Sequence, residues 1–132
     1  MTTTPTLTTA ARRIAAQLAV RSNPDLAGLP QTLCQALKVQ EEAGEMAQAV
    51  IGVLGQNPRK GVTHTWDDVI AEAIDVAVTA LVFAQTVIGD DQTALEDRLT
   101  FHLNRIQRRA ATSGAPDVTL HAATLAGRGR TA

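Results

Sequence analysis

The sequence predicts an all-α fold arranged as a four-helix bundle. Apolar residues make up 45% of the 132 residues, yet the aromatic ones are only one Trp and two Phe, whereas Ala occurs 23 times. Small aliphatic residues suit closely packed helices, while sheets favour aromatic and β-branched residues. Apolar residues also recur at spacings of three and four in four segments, which Gly, Pro and Asn separate. The length and composition fit one compact domain.

The first predicted helix has its N-cap at Thr8 or Thr9 and runs to about Arg21. Its apolar side chains fall on one face and its arginines on the other. Asn23-Pro24 ends this helix, because the residue before a proline is disfavoured in helical conformation.

The second and third predicted helices are long and apolar, and a loop of about ten residues joins them. The second begins near Pro30, since proline suits the first turn of a helix, and it continues to about Leu54. Gly55 ends it. The third helix starts after the N-cap Thr65 and runs to about Ile88.

The fourth predicted helix follows a turn at residues 89–91 and is amphipathic, with a basic outer face. Its apolar face consists of Leu95, Leu99, Leu103 and Ile106. From Ala111 onward the sequence lacks a helical period and is rich in Ser, Gly, Pro and Thr. We therefore expect one helical domain over residues 1–111 and a poorly structured C-terminal tail over residues 112–132.

Charge and cysteine content exclude several classes of partner. The formal net charge is -1 and the isoelectric point is near 6.3, so the chain lacks the basic surface that duplex-binding proteins carry, and no nucleic-acid partner is expected. Cys34, the single cysteine, cannot form an internal disulfide, and the N-terminus lacks the pattern of a secretory signal. These features predict a cytoplasmic protein.

The most apolar stretch, Val69 to Ile88, approaches the length that crosses a bilayer. It carries Glu72 and Asp75 with no basic partner inside the stretch, and such charges are costly in lipid. We interpret it as a buried helix and expect no membrane partner.

Acidic residues form a stripe on each of the two central helices: Glu41, Glu42 and Glu45 on the second, Glu72 and Asp75 on the third. Offsets of three and four place each set on one helix face. Each stripe can be a solvated face, but solvated faces usually mix signs because like charges at these offsets are destabilising. Here no Lys or Arg lies between Gly61 and Asp97, and the second helix offers only Lys38.

Two facing acidic stripes would need a cation. Carboxylates about 5 Å apart repel by roughly 3 kcal/mol per pair at an effective dielectric near 20, and a divalent cation reverses that sign. Oxygen ligands favour Mg²⁺, with Mn²⁺ as a substitute, over zinc. The Glu-x-x-His pairs of di-iron bundles are missing.

The order of these acids resembles a known motif. Glu41-Glu42-Ala43-Gly44-Glu45, followed after a loop by Glu72-Ala73-Ile74-Asp75, is similar to the paired EExxE and ExxD motif of the MazG-like, all-α nucleoside triphosphate pyrophosphohydrolases. The resemblance covers about residues 33–109. It implies that Glu42, Glu45, Glu72 and Asp75 bind Mg²⁺. It also implies cleavage of a nucleoside triphosphate between the α and β phosphates, giving a monophosphate and pyrophosphate.

Other side chains have candidate roles beside that metal. Glu41 is a candidate general base or an outer ligand of the metal, or else an exposed glutamate. Arg59 and Lys60, on the loop between the acidic helices, can hold phosphate oxygens or simply solubilise the loop. Lys38 can contact phosphate or form a salt bridge.

Four further residues are weaker candidates for substrate binding. Arg105, Arg109 and Asn104 can approach the phosphates from the fourth helix or from a neighbouring subunit, or can lie on exposed helix surface. Trp66 can stack on a nucleobase or anchor packing.

Two classes of function follow. The first is a Mg²⁺-dependent pyrophosphohydrolase that removes non-standard or surplus (deoxy)nucleoside triphosphates, a role implied by the resemblance. The alternative is a non-catalytic helical module that retains the fold and associates through its apolar surfaces. Helices with this much apolar surface predict a homodimer or a dimer of dimers in either case.

Overall fold

The computed structural model describes residues 6–91 and 93–112, and within these ranges all regular secondary structure is helical. The four α-helices are α1 (Leu7–Arg21), α2 (Leu29–Val53), α3 (Trp66–Ile88) and α4 (Ala94–Thr112), with a 3₁₀-helix at Pro24–Leu26 between α1 and α2. The all-α prediction is confirmed. Apart from Thr112, which ends α4, the predicted tail lies outside the described residues.

Local capping explains where two of the helices begin. The Thr6 side chain accepts a hydrogen bond from the Thr9 backbone N–H, so the N-cap of α1 is Thr6, and the prediction of Thr8 or Thr9 was wrong. The reason is that the helix begins earlier than the apolar period indicated, with Leu7 as its first residue. The predicted cap of α3 is confirmed, because Thr65 and Asp68 form a reciprocal capping box.

The described part of the chain divides into two compact units, one that ends at Asp97 and one that begins at Arg98. In the described part of the first unit, α3 packs against both α1 and α2. Its buried core consists of Ala11, Val82 and Leu95, surrounded by partly buried side chains such as Ile14 and Leu81. These contacts join α1, α3 and the first turn of α4 around small and aliphatic side chains.

The helices α2 and α3 run antiparallel. The Thr63 backbone N–H, just before α3, donates to the Gly52 carbonyl near the end of α2 at 3.1 Å. Glu42 and Glu45, further back along α2, meet Glu72, further along α3. This hairpin brings the two acidic stripes to the same side of the unit.

The prediction that Val69 to Ile88 forms a buried helix was wrong for a single chain. Val82 and Gln85 are the residues of α3 that are fully buried, while Ile70 and Ile74 are more than half exposed. The helix is long and apolar enough to cross a membrane by length and composition alone, which is weak evidence for a span. The exposure arises because α1 and α2 cover only part of its circumference.

The second unit contains α4 from Arg98 onward. Leu103 and Ile106, on the predicted apolar face, are about half exposed, as is Phe101. The helix itself is confirmed, but in the described chain these three side chains are not buried.

Candidate metal centre

Three carboxylates from two helices converge in the first unit. One carboxylate oxygen each of Glu42, Glu45 and Glu72 lies within 4.8 Å of the other two. Glu42 and Glu45 are three residues apart, so they share one face of α2, and the antiparallel packing of α3 places Glu72 opposite them. We call this group the acidic triad.

The three side chains differ in exposure and in electrostatic surroundings. The Glu42 side chain is 12% exposed, Glu72 is half-buried and Glu45 is exposed. The pKa of Glu45 lies above its ordinary value, first because the Glu42 carboxylate repels its charge, then because of desolvation, with a further contribution from Glu72. The triad therefore favours binding of a proton or a cation.

Lys38 supplies positive charge at the edge of the triad. Its ammonium lies 2.9 Å from a Glu41 oxygen and 3.1 Å from a Glu42 oxygen. These two contacts, that with Glu41 first, raise the pKa of Lys38. Of the two roles considered for this residue, the structure displays the salt bridge.

The two remaining acids of the motif lie outside the triad. Glu41 points to Lys38, and its side chain is 57% exposed. Asp75 is exposed, three residues after Glu72 on α3. The predicted roles of Glu41 as base and of Asp75 as fourth ligand thus stay predictions.

The loop between the acidic helices presents the two predicted phosphate-binding cations. The exposed Arg59 lies in a turn that begins at Asn57, and its backbone N–H donates to the Asn57 side chain at 3.1 Å. Lys60 lines a small cavity beside α2. Trp66, 39% exposed, is the first residue of α3. Their contacts with substrate stay predictions.

The three candidates on α4 belong to the second unit. Asn104, Arg105 and Arg109 are all exposed. Their exposure suits either of the roles considered for them, contact with phosphate or simple solvation, and the substrate role stays a prediction.

The structure also brings together residues that the sequence analysis did not connect. His64 lies against Gly52, and both line the cavity that contains Lys60. A glycine inside a helix is destabilising by about 1 kcal/mol relative to alanine, so Gly52 was the available signal of a close approach. What approaches it could not be inferred from its own helix.

The donor set of the triad suits a hard divalent cation. Three carboxylates supply oxygen ligands alone, which Mg²⁺ and Mn²⁺ prefer, and no His or Cys belongs to the group. Like-charge repulsion, evident in the raised pKa of Glu45, is what a cation would relieve. On donor chemistry, the residues fit Mg²⁺.

Comparison with known proteins finds no matching family model, no matching curated protein and no matching solved structure. The resemblance to the MazG-like pyrophosphohydrolases therefore stays a prediction that depends on the acidic motif.

Proposed function

We propose that this protein is a Mg²⁺-dependent nucleotide pyrophosphohydrolase that cleaves (deoxy)nucleoside triphosphates between the α and β phosphates. The observation that carries the proposal is the acidic triad, in which two helices bring three carboxylates together and, among the described residues, Lys38 is the one cation in salt-bridge contact with them. Removal of non-standard or surplus nucleotides in the cytoplasm is the biological role that we propose with it.

Glu42, Glu45 and Glu72 would hold Mg²⁺, with Asp75 available one turn further along α3. When bound, Mg²⁺ neutralises phosphate charge and lowers the pKa of the attacking water. Glu41, which is largely exposed and beside the triad in sequence, is the proposed acceptor of the proton from that water. The Lys38 ammonium contacts one oxygen of the Glu41 carboxylate, Oε2, and the other oxygen, Oε1, can accept the proton.

The proposed reaction proceeds in one step. Water attacks a phosphorus atom of the α–β bridge, the bond from that phosphorus to the bridging oxygen breaks, and a monophosphate and pyrophosphate separate. No hydroxyl or thiol belongs to the triad, so the arrangement favours direct attack by water over a covalent intermediate.

Several cations are candidates for orienting the phosphates. Lys38 borders the triad, while Arg59 and Lys60 stand on the loop that joins α2 to α3. We also propose Arg105, Arg109 and Asn104 as contacts from this or a neighbouring subunit, and Trp66 as a surface for the base. Charge-assisted hydrogen bonds of this kind stabilise the charge that develops on the leaving group.

We propose that the chain functions as a homodimer or a dimer of dimers. Large apolar side chains are exposed on one face near both ends of α2: Leu29, Leu33 and Leu37 at its start, Ile51 and the C-cap Leu54 at its end. Clustered exposed apolar side chains mark interaction sites in soluble proteins. The same face is the specific observation behind the second candidate function, a non-catalytic module that only associates.

A nucleotide panel distinguishes the two candidates. Purified protein is incubated with each common (deoxy)nucleoside triphosphate and Mg²⁺, and monophosphate, diphosphate, phosphate and pyrophosphate are resolved. We expect monophosphate and pyrophosphate in equal amounts. Diphosphate with orthophosphate would contradict the proposed reaction, and absence of both hydrolysis and Mg²⁺ binding would favour the association module.

A further inference from the structure

A small cavity lies where the loop of residues 54–65 folds back onto the end of α2. Its volume is about 160 Å³, and its polar lining comes from Gln48, Asn57, Lys60, Thr63 and His64. This is smaller than the roughly 300–1,000 Å³ of pockets that bind drug-sized ligands, so it suits one small group of a ligand.

The wall of the cavity depends on the absence of a side chain at position 52. A Cβ added to Gly52 would overlap the His64 ring and would lie 2.6 Å from Thr63 Oγ1. The Thr63 hydroxyl is hydrogen-bonded to His64 Nδ1 at 2.9 Å, and the Thr63 backbone N–H donates to the Gly52 carbonyl. The glycine thus lets the loop seat His64 directly against α2, although glycine weakens the helix there.

The chemistry of the lining favours an anion. The Lys60 ammonium is its only formally charged group, and the amides of Gln48 and Asn57 add neutral hydrogen-bond donors. Carboxylates are not among the residues that line it. A lysine together with neutral donors on one lining is a combination that can bind phosphate oxygens.

The cavity lies close to the acidic triad along one side of α2. Gln48 follows Glu45 by three residues, which is about 4.5 Å along the helix axis and on the same side. Gly52 follows Glu45 by seven residues, or about 10 Å. An elongated polyanion can therefore place one phosphate at the triad and a further phosphate in the cavity.

We propose that this cavity binds the terminal phosphate of the triphosphate, so that it holds the pyrophosphate group that leaves. The proposal rests on the proposed function for the identity of the substrate. The triad would then bind the part of the phosphate chain that contacts the cation, and Lys60 would contact the terminal phosphate.

Pyrophosphate alone, with EDTA present, tests the cavity without a metal in the triad. The imidazole signals of the protein are followed by NMR during the titration, and the His64 signals are assigned with His64→Asn. We expect saturable shifts at His64 and none at His102. Lys60→Gln should weaken pyrophosphate binding at least about tenfold, whereas Arg21→Gln, the same charge removal on α1, should leave binding unchanged.

Two further arms separate the outcomes. Gly52→Ala, which displaces His64, should also weaken binding; if it fails to fold, Lys60→Gln decides alone. A free nucleoside that shifts His64, or pyrophosphate binding that does not depend on Lys60, would overturn the proposal. Lys60-dependent pyrophosphate binding without hydrolysis of any nucleotide would support phosphate binding in the cavity and reject the proposed function. Nucleotide hydrolysis without Lys60-dependent pyrophosphate binding would support the proposed function and reject the role of the cavity.

Discussion

At the scale of single residues, the molecule contains an unfavourable concentration of like charge. Glu42, Glu45 and Glu72 lie within 4.8 Å of one another, and Lys38 contacts the first of them from the side that also holds Glu41. Isolated surface glutamates would not repel one another, but in this group the neighbouring charges, Glu42 first, raise the pKa of Glu45. Residues that oppose folding in this way often serve a function.

Glu45→Gln should stabilise the metal-free protein at neutral pH. The folded-state pKa of Glu45 is raised, so the folded protein holds this proton more tightly than the unfolded chain, and stability is lost as pH rises from the ordinary glutamate range through the raised pKa. The amide cannot ionise, so the variant should be more stable than the parent at about pH 7. This difference in stability should vanish near pH 4, below the ordinary glutamate pKa. Denaturation in EDTA at both pH values measures the difference. Glu96→Gln, an exposed glutamate of α4 outside the triad, is the control and should produce no such pH dependence.

Glu72→Gln should weaken the response of the protein to Mg²⁺. The amide weakens a cation ligand and also relieves repulsion, so the melting temperature without Mg²⁺ should hold or rise while the Mg²⁺-induced increase shrinks. Turnover should fall at least about a hundredfold.

Asp75→Asn, tested in parallel, decides whether the fourth acid of the motif joins the site. If it is a ligand, its effects on the Mg²⁺ response and turnover should match those of Glu72→Gln. Unchanged Mg²⁺ stabilisation and unchanged hydrolysis in Glu72→Gln itself would reject the assignment of the metal centre.

At the scale of elements, the start of α3 determines how the hairpin of α2 and α3 is built. Asp68 accepts hydrogen bonds from the Thr65 backbone N–H at 2.7 Å and from the Thr65 hydroxyl at 2.8 Å. The Thr65 side chain accepts in turn from the Asp68 N–H. This capping box begins the helix immediately after His64, so it positions both the loop cavity and, two turns on, Glu72.

Asp68→Asn should destabilise the protein at neutral pH, and this difference should shrink in acid. The hydrogen bonds from Thr65, first that from its backbone and then that from its side chain, hold the pKa of Asp68 below its ordinary value. A lowered pKa contributes stability that is present above the ordinary aspartate range and is lost as pH falls through the folded-state pKa. Thermal denaturation across pH measures this trend, which is opposite in sign to that of Glu45. Asp67→Asn, in the same turn but outside the box, is the control.

Equal destabilisation by the two variants at every pH would show that only the charge near the helix N-terminus matters. A difference confined to Asp68→Asn would assign the effect to its hydrogen bonds with Thr65.

At the scale of the whole molecule, the described chain leaves much apolar surface uncovered. The buried hydrophobic residues of the described chain are Ala11, Ala49, Val82 and Leu95, a small set for a chain of this composition. Counted along the helix, the exposed apolar side chains of α2 centre on the side opposite Glu42 and Glu45. A second copy bound to that face would therefore cover these side chains on the side of α2 away from the triad.

Leu33→Glu combined with Leu37→Glu should shift the protein toward monomer. Both leucines lie on the exposed face of α2, where they are 55% and 68% exposed, and a charge buried at an interface without a partner is costly. Light scattering should find a dimer or larger species in the parent and a smaller species in the variant. Val20→Glu, at a residue of α1 that is 87% exposed, should leave the mass unchanged. A parent of 13.9 kDa at micromolar concentration would contradict the proposed oligomer.

The sequence by itself determined the helices of this protein, because their signals are local. Apolar spacing identified all four α-helices, and Thr65 and Gly55 marked one start and one end where hydrogen bonds reach only a few residues. The short reach also explains the missed cap at Thr6, since Thr8 and Thr9 offer the same chemistry two and three residues away. The two acidic stripes were likewise visible from offsets of three and four.

Tertiary structure alone decided which acids meet. The rotation of α2 and α3 about their own axes, set by their packing, brings Glu42, Glu45 and Glu72 together and leaves Glu41 beside Lys38 and Asp75 exposed. The seating of His64 against Gly52 depends in the same way on how a loop of twelve residues returns to α2. Helix periodicity specifies a face, but the direction of that face follows from contacts between residues far apart in the chain.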